Sequence, residues 1–141
     1  MQFQNTVSVF TDGGARGNPG PAAIGVYIEK EGKPLIKIGK RIGETTNNVA
    51  EYSAILQALT WIEENKEKVG NVNINFFMDS ELAFSQLTGL YKIKNENIKK
   101  LIAEIKKKEA AIGLMFTYAH IRREKNKEAD KLVNLALDNI I

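Results

Sequence analysis

Four acidic residues stand in settings that an ordinary solvated carboxylate does not require. Asp12 and Asp79 each follow an apolar, β-prone run, Glu51 lies near the start of a long helical segment, and Asp130 lies early in the last one. If the fold brings the four together, their mutual repulsion is tolerable only with cations bound. Hard divalent ions such as Mg²⁺ and Mn²⁺ prefer ligation by oxygen alone. The pattern therefore predicts a metal site built from these carboxylates.

The elements that must position these carboxylates follow from periodicity and turn residues. The pattern indicates strands at 7–11, 22–29, 35–42, 72–78 and 114–119, and helices at 48–64, near 80–87, near 97–109 and from 127 onward. The turn-prone segment EKEGKP joins the second and third strands, so the first three strands are expected to form an antiparallel meander. A helix then leads to the fourth strand, which can lie parallel to the first and bring Asp12 beside Asp79.

Composition restricts the class of protein. The chain has 141 residues, enough for one domain, and it has no cysteine, which excludes disulfides and thiolate metal sites. No apolar stretch approaches the roughly 18 residues of a membrane span, and the first six residues lack signal-peptide character. We therefore expect a cytoplasmic protein. With a net charge of +3, any preference for nucleic acid depends on where the charges lie.

Four spaced motifs carry a resemblance to a known family. In chain order they are TDGGARGNPGPAAIG, TTNNVAEYSAILQAL, MDSELAFSQL and REKNKEADKLVN, and the likeness runs from about residue 7 to residue 137. Together they resemble the type 1 ribonucleases H, nucleases that cut the RNA strand of an RNA/DNA hybrid. The resemblance implies an α/β, ribonuclease H-like fold whose five-stranded mixed sheet combines an antiparallel meander with parallel strands and is flanked by helices. It also implies a single catalytic domain over residues 1–141.

The resemblance implies roles for the carboxylates. Asp12, Glu51, Asp79 and Asp130 match the family's metal-binding residues and would hold two Mg²⁺ or Mn²⁺ ions, with Asp12 shared between them. With two ions about 4 Å apart, one activates the attacking water and the other stabilises the leaving 3′ oxygen. The expected products carry 5′-phosphate and 3′-hydroxyl ends. The expected partner is the RNA/DNA hybrid, bound by a monomer that needs no obligatory protein partner and no membrane.

The first two motifs contain most of the residues expected to contact substrate. The turn GGARGNPG lacks the GK[ST] of a P-loop, so its glycines are expected to let backbone approach a nucleic-acid strand. The positions that match the family's hybrid contacts are Gly13, Asn18, Thr46, Asn47, Asn48, Lys94 and Asn95. For Thr46 the match implies a contact to a phosphate of the DNA strand, although a plain helix-start role explains this residue equally well.

His120, the only histidine in the sequence, is a candidate general acid or base. Many relatives carry a mobile histidine in a loop before the last carboxylate. That loop is shortened here, and aligning Asn126 and Asp130 with the family puts Arg123 nearest the loop position. We therefore expect His120 to be a strand residue beneath the site. Arg123 would assist release of the cleaved phosphate, but an arginine stays protonated near neutrality and cannot serve as a base.

Each carboxylate taken alone also has a structural explanation. Asp12 suits a turn, Asp79 a helix cap, Glu51 a capping box, and Asp130 the boundary of an apolar stripe. Their joint occurrence in the family's order favours the catalytic interpretation. Two alternatives remain open, a non-catalytic hybrid-binding module and a nuclease that also cuts double-stranded RNA.

A basic segment follows the second predicted helix and includes most of the third. The range from Lys92 to Lys108 holds seven lysines, but the passage GLYKIKNENIKKL is too short for the basic handle that some relatives insert there. We interpret these lysines mainly as a solvated helix face.

Overall fold

The computed structural model describes residues 6–141. Its elements in chain order are β1 (Thr6–Ala15), β2 (Gly20–Lys30), β3 (Lys33–Thr45), α1 (Asn47–Glu64), α2 (Lys66–Val69), β4 (Asn73–Met78), α3 (Glu81–Leu87), α4 (Glu96–Ile112), β5 (Met115–His120), a 3₁₀ turn (Arg123–Lys125) and α5 (Lys127–Leu137). Periodicity predicted each of the longer elements and missed the short helix α2 and the 3₁₀ turn. Within this described range, none of the helices is long and apolar enough to cross a bilayer.

The five strands form one mixed sheet in the order β3-β2-β1-β4-β5. Neighbours β1 and β2, and β2 and β3, are antiparallel, whereas β4 lies parallel to both β1 and β5. The predicted meander and the predicted parallel strands are thus confirmed. Thr11 stands opposite Met78 in the register of β1 and β4, so the residues that follow them, Asp12 and Asp79, emerge side by side.

Helices cover the two faces of the sheet unequally. On one face α1 contributes Tyr52, Ile55 and Leu59 to the main core, where they meet buried side chains of β1, β2 and β4. Because side chains alternate along a strand, Ala23 of β2 points to the opposite face. There it forms a smaller apolar cluster with Val133, Ala136 and Leu137 of α5. The sheet therefore lies between a large core under α1 and a small one under α5.

Candidate active site

Three carboxylates meet where β1 and β4 lie side by side. Asp12 lies within β1, Asp79 directly follows β4, and Glu51 projects from the second turn of α1. Oxygen atoms of the three side chains all lie within 4.8 Å of one another. The predicted meeting of Asp12 with Asp79 is therefore present, and Glu51 joins it. Such an all-oxygen donor set suits a hard divalent cation.

Glu51 reaches the strands because Gly13 has no side chain. A Cβ atom at Gly13 would overlap the backbone of Ala50 and Glu51, so only glycine lets α1 lie this close to β1. The Gly13 amide donates a hydrogen bond of 2.6 Å to Glu51 Oε1 and one of 3.0 Å to Asp12 Oδ1. Gly13, expected from the sequence to meet substrate, thus also holds two of the carboxylates.

The fourth carboxylate comes from the last helix. Asp130 lies in α5 and lines the same cleft, where its negative charge helps to raise the pKa of Asp12. An open cleft of about 410 Å³ is lined by all four carboxylates and by Arg123 of the 3₁₀ turn. The structure thus gathers around one cleft the five residues for which the sequence predicted catalytic roles.

Local explanations for three of the carboxylates do not fit the structure. Ser80, rather than Asp79, caps α3, since its Oγ accepts the capping hydrogen bond. Thr46 caps α1, while Glu51 bonds to the strand and forms no capping box. Asp12 lies inside a regular antiparallel pairing rather than at a turn. None of these three carboxylates therefore caps a helix or begins a turn, and what they share is their meeting in the cleft.

Comparison with known proteins identifies the family. The family model described as RNase H matches residues 4–138. The chain belongs to the ribonuclease H family. The motif-based recognition and the expected fold are both confirmed.

Relatives in this family match nearly all of the chain's length. LC11-RNase H1, isolated from compost by a metagenomic approach and crystallised in complex with an RNA/DNA hybrid, is 44% identical, with a TM-score of 0.89 over 95% of this chain and 98% of that one. Ribonuclease HI of Halobacterium salinarum is 36% identical over 135 residues, which are 94% of this chain and 65% of that protein. A bifunctional protein of Mycobacterium tuberculosis is 34% identical over 137 residues, but this chain spans only 35% of its length.

Electrostatic repulsion among the four carboxylates favours a bound cation. Burial raises the pKa of Asp12 to about 7, and the charges of Asp79 and Asp130 add to the effect. Burial also raises the pKa of Glu51 well above its ordinary value, again with a contribution from the neighbouring carboxylates. Either protons or cations must offset this concentration of negative charge. Divalent metal ions are typical of the family, and the acidic cluster fits them.

Three asparagines that are expected to contact substrate form hydrogen bonds with neighbouring residues of the protein. Asn47 Oδ1 accepts a hydrogen bond of 2.8 Å from the Ala15 amide, and Asn18 Oδ1 accepts one of 2.9 Å from the Asn47 amide. Asn48 Nδ2 donates to Gln86 Oε1 of α3 at 3.2 Å. With their oxygens engaged, Asn18 and Asn47 have Nδ2 groups to offer to a ligand. Their contact with nucleic acid remains a prediction.

The remaining expected contacts lie at helix starts. Thr46 Oγ1 accepts a hydrogen bond of 3.2 Å from the Val49 amide at the start of α1. Asn95 Oδ1 accepts one of 3.1 Å from the Ile98 amide and caps α4, with the exposed Lys94 just before it. Helix starts carry partial positive charge, which suits phosphate. The structure thus gives Thr46 and Asn95 capping roles, and their phosphate contacts stay predictions.

His120 is a strand residue, as the sequence predicted. It is the last residue of β5, its Nε2 lies 3.3 Å from the backbone oxygen of Asp79, and its ring packs beside Phe84. Among the described residues that line the cleft, Arg123 is present and His120 is not. Position in the cleft therefore favours Arg123 over His120 for the expected catalytic role, which stays a prediction.

The sequence analysis used Asn126 only to align the chain with the family and assigned it no role. Its side chain is buried, and its Nδ2 donates to the Thr11 carbonyl at 2.9 Å and to Asp79 Oδ2 at 3.3 Å. The one available signal was an asparagine directly before α5, which ordinarily indicates a helix cap. A capping role predicted from that position would have been wrong, because the Asn126 side chain makes no capping hydrogen bond.

Proposed function

We propose that this ribonuclease H is an endonuclease that hydrolyses the RNA strand of RNA/DNA hybrids and leaves 5′-phosphate and 3′-hydroxyl ends. The observation that carries the proposal is the convergence of four carboxylates from four separate parts of the chain on one cleft. The hybrid bound to LC11-RNase H1, at 44% identity, supports the choice of substrate. We further propose that residues 1–141 form one catalytic domain that acts as a cytoplasmic monomer.

We propose that the cleft holds two Mg²⁺ or Mn²⁺ ions. Glu51 and Asp79 would bind one ion and Asp130 the other, with Asp12 shared because it neighbours all three. When bound, such ions supply activation of water and neutralisation of charge on the phosphodiester. Asparagine at any of these positions keeps the shape of the side chain and removes the charge.

The chain's own residues position the reacting groups. The Gly13 amide keeps Glu51 and Asp12 facing the same point of the cleft. Asn18 and Asn47 present hydrogen-bond donors at its edge, where contacts to 2′-hydroxyl groups would distinguish RNA from DNA. Arg123 supplies a permanent positive charge beside the place where the cleaved phosphate departs.

The proposal is tested with labelled RNA/DNA hybrid, double-stranded RNA, double-stranded DNA and single strands, each assayed with Mg²⁺, Mn²⁺ or chelator. We expect cleavage of the RNA strand of the hybrid only when ions are present. We expect Asp79→Asn to lose activity by orders of magnitude while circular dichroism shows a folded protein, because removing one of several crowded negative charges does not disrupt the fold.

Each other result has a definite meaning. Full activity in chelator, or wild-type rates for Asp79→Asn, would refute the metal-dependent mechanism. Binding of the hybrid without cleavage would instead support the non-catalytic alternative. Cleavage of double-stranded RNA at a comparable rate would widen the substrate class.

Arg123→Ala is expected to lower kcat more than His120→Ala does. Arg123 lines the cleft, whereas His120 contacts the backbone of Asp79. Steady-state rates of the folded variants across pH would measure the difference, and His120→Ala is expected to keep any rate inflection that wild type shows near pH 7, since the pKa of Asp12 is about 7. Arg122→Ala is the matched control, since that side chain is 80% exposed. A larger loss in His120→Ala, with disappearance of an inflection near that pH, would assign the catalytic role to His120.

A further inference from the structure

Asn126 connects three of the segments that carry the carboxylates. The residue is 1% exposed, and its Nδ2 donates to the carbonyl of Thr11 at 2.9 Å and to Asp79 Oδ2 at 3.3 Å. Its backbone carbonyl accepts a hydrogen bond of 3.1 Å from the Asp130 amide. One buried side chain therefore reaches the residue before Asp12 and the carboxylate of Asp79, while its own backbone starts the helix that bears Asp130.

Chemistry leaves the Asn126 carboxamide only one favourable orientation. The Thr11 carbonyl and the Asp79 carboxylate are both acceptors, so the nitrogen must face them. The oxygen Oδ1 is consequently buried and, within residues 6–141, has no hydrogen-bond partner. The Thr11 carbonyl and the Asp79 carboxylate together therefore determine how the Asn126 side chain is oriented.

We propose that Asn126 is a positioning residue that holds the Asp79 carboxylate in the cleft against the repulsion of Asp12 and Glu51. Among the hydrogen bonds of the described part of the chain, the one from Asn126 is the only one made to this carboxylate. Without it, repulsion would turn Asp79 away from its like-charged neighbours and disperse the oxygen ligands. The link to cation binding and rate rests on the proposed function, whereas the link between Asn126 and Asp79 does not.

The first test requires no catalysis. Urea unfolding of the ion-free protein is compared for wild type, Asn126→Ala, Asp79→Ala and the double variant. Because a hydrogen bond to a charged group is stronger than a neutral one, we expect Asn126→Ala to raise the unfolding equilibrium constant about fivefold more when Asp79 is present than when it is absent. Additive effects would overturn the proposal and leave Asn126 a purely structural role. Should Asn126→Ala fail to fold, Asn126→Leu, which is close to asparagine in size and has no donor, replaces it.

The second test measures ions and kinetics. Calorimetric titration of the substrate-free protein with Mn²⁺ should show affinity about tenfold weaker in Asn126→Ala, and kcat should fall by a similar factor with KM for the hybrid unchanged. Asn126→Asp should lose more than Asn126→Ala, because it turns an acceptor toward the Thr11 carbonyl and Asp79. Asn73→Ala, an exposed asparagine of β4, is the control and should match wild type.

The outcomes separate the two proposals. A wild-type protein that cleaves no hybrid defeats the proposed function, and the unfolding comparison still decides whether Asn126 holds Asp79. A wild-type protein that cleaves while Asn126→Ala binds Mn²⁺ and cleaves equally well defeats the role of Asn126 alone.

Discussion

Asp12→Asn is expected to abolish hydrolysis more completely than substitution of any other carboxylate. Asp12 is buried, with 8% of its surface exposed, and it is the carboxylate that neighbours each of the other three. Its loss would therefore disturb both proposed cation positions at once. We expect a rate lower by roughly a thousandfold or more, the factor that about 4 kcal/mol of transition-state stabilisation provides. Single-turnover cleavage of the hybrid would measure it, and a loss no greater than that of Asp130→Asn would contradict the central role of Asp12.

The same substitution is expected to stabilise the ion-free protein at neutral pH. Because burial raises the pKa of Asp12 from 3.8 to about 7, the folded protein binds this proton more tightly than the unfolded chain does. Below the pKa that Asp12 has in the unfolded chain, the carboxyl group is protonated in both states and the buried charge costs nothing. As pH rises from that value toward the pKa of Asp12 in the folded protein, the cost grows, so the unfolding free energy of wild type falls across this window. Asp12→Asn lacks this carboxyl group and should lose less stability over the same range.

Urea unfolding in chelator, repeated across that pH window, would measure this opposite effect. Addition of Mg²⁺ should stabilise wild type more than Asp12→Asn, since the variant has lost a ligand. Parallel stability curves for the two proteins would show that Asp12 carries no such penalty in the folded state.

Gly13→Ala is expected to lower both the stability and the activity of the protein. Its Cβ would overlap the backbone of Ala50, and a helix backbone cannot move aside as the end of a flexible side chain can. Helix α1 would have to retreat from β1, which would break the hydrogen bond from residue 13 to Glu51 and loosen the core beneath. We expect a loss of about 3 kcal/mol in unfolding free energy, at the upper end of the usual cost of overpacking, together with most of the activity.

The neighbouring glycine offers a matched control for stability. A Cβ at Gly14 would lie 3.7 Å from Val133 Cγ1, which is an ordinary van der Waals distance. In urea unfolding, the unfolding free energy of Gly13→Ala should therefore be lower than that of Gly14→Ala by most of the loss expected for Gly13→Ala. Equal stability of the two variants would show that α1 can shift away from β1 without cost.

The sequence predicted those features that depend on local pattern. Alternation of apolar and polar residues located β4, and the crossover rule then placed β4 parallel to β1. Those two steps were sufficient to bring Asp12 beside Asp79, which the register confirms. The family motifs added Glu51 and Asp130, whose approach depends on how helices pack and which periodicity does not determine.

Features that depend on contacts through space could not be predicted in the same way. The hydrogen bond from Asn126 to Thr11 joins residues 115 positions apart, and no local pattern reports such a pair. The need for glycine at position 13 likewise arises from the backbone of α1, far away in sequence. The turn motif suggested only that this glycine gives access to substrate.

The unequal cores on the two faces of the sheet have a consequence for how the molecule opens. Asp12, Glu51 and Asp79 are carried by elements of the main core, whereas Asp130 is carried by α5, which packs over the small cluster around Ala23. Local unfolding proceeds most readily through units that bury little apolar surface, so α5 is the unit with the lower opening free energy. A brief detachment of α5 would remove Asp130 and leave the other carboxylates in place. Cations that bind only when α5 is docked on the sheet would shift the equilibrium away from its detachment. Cation binding would therefore stabilise the last helix against local unfolding as well as the site.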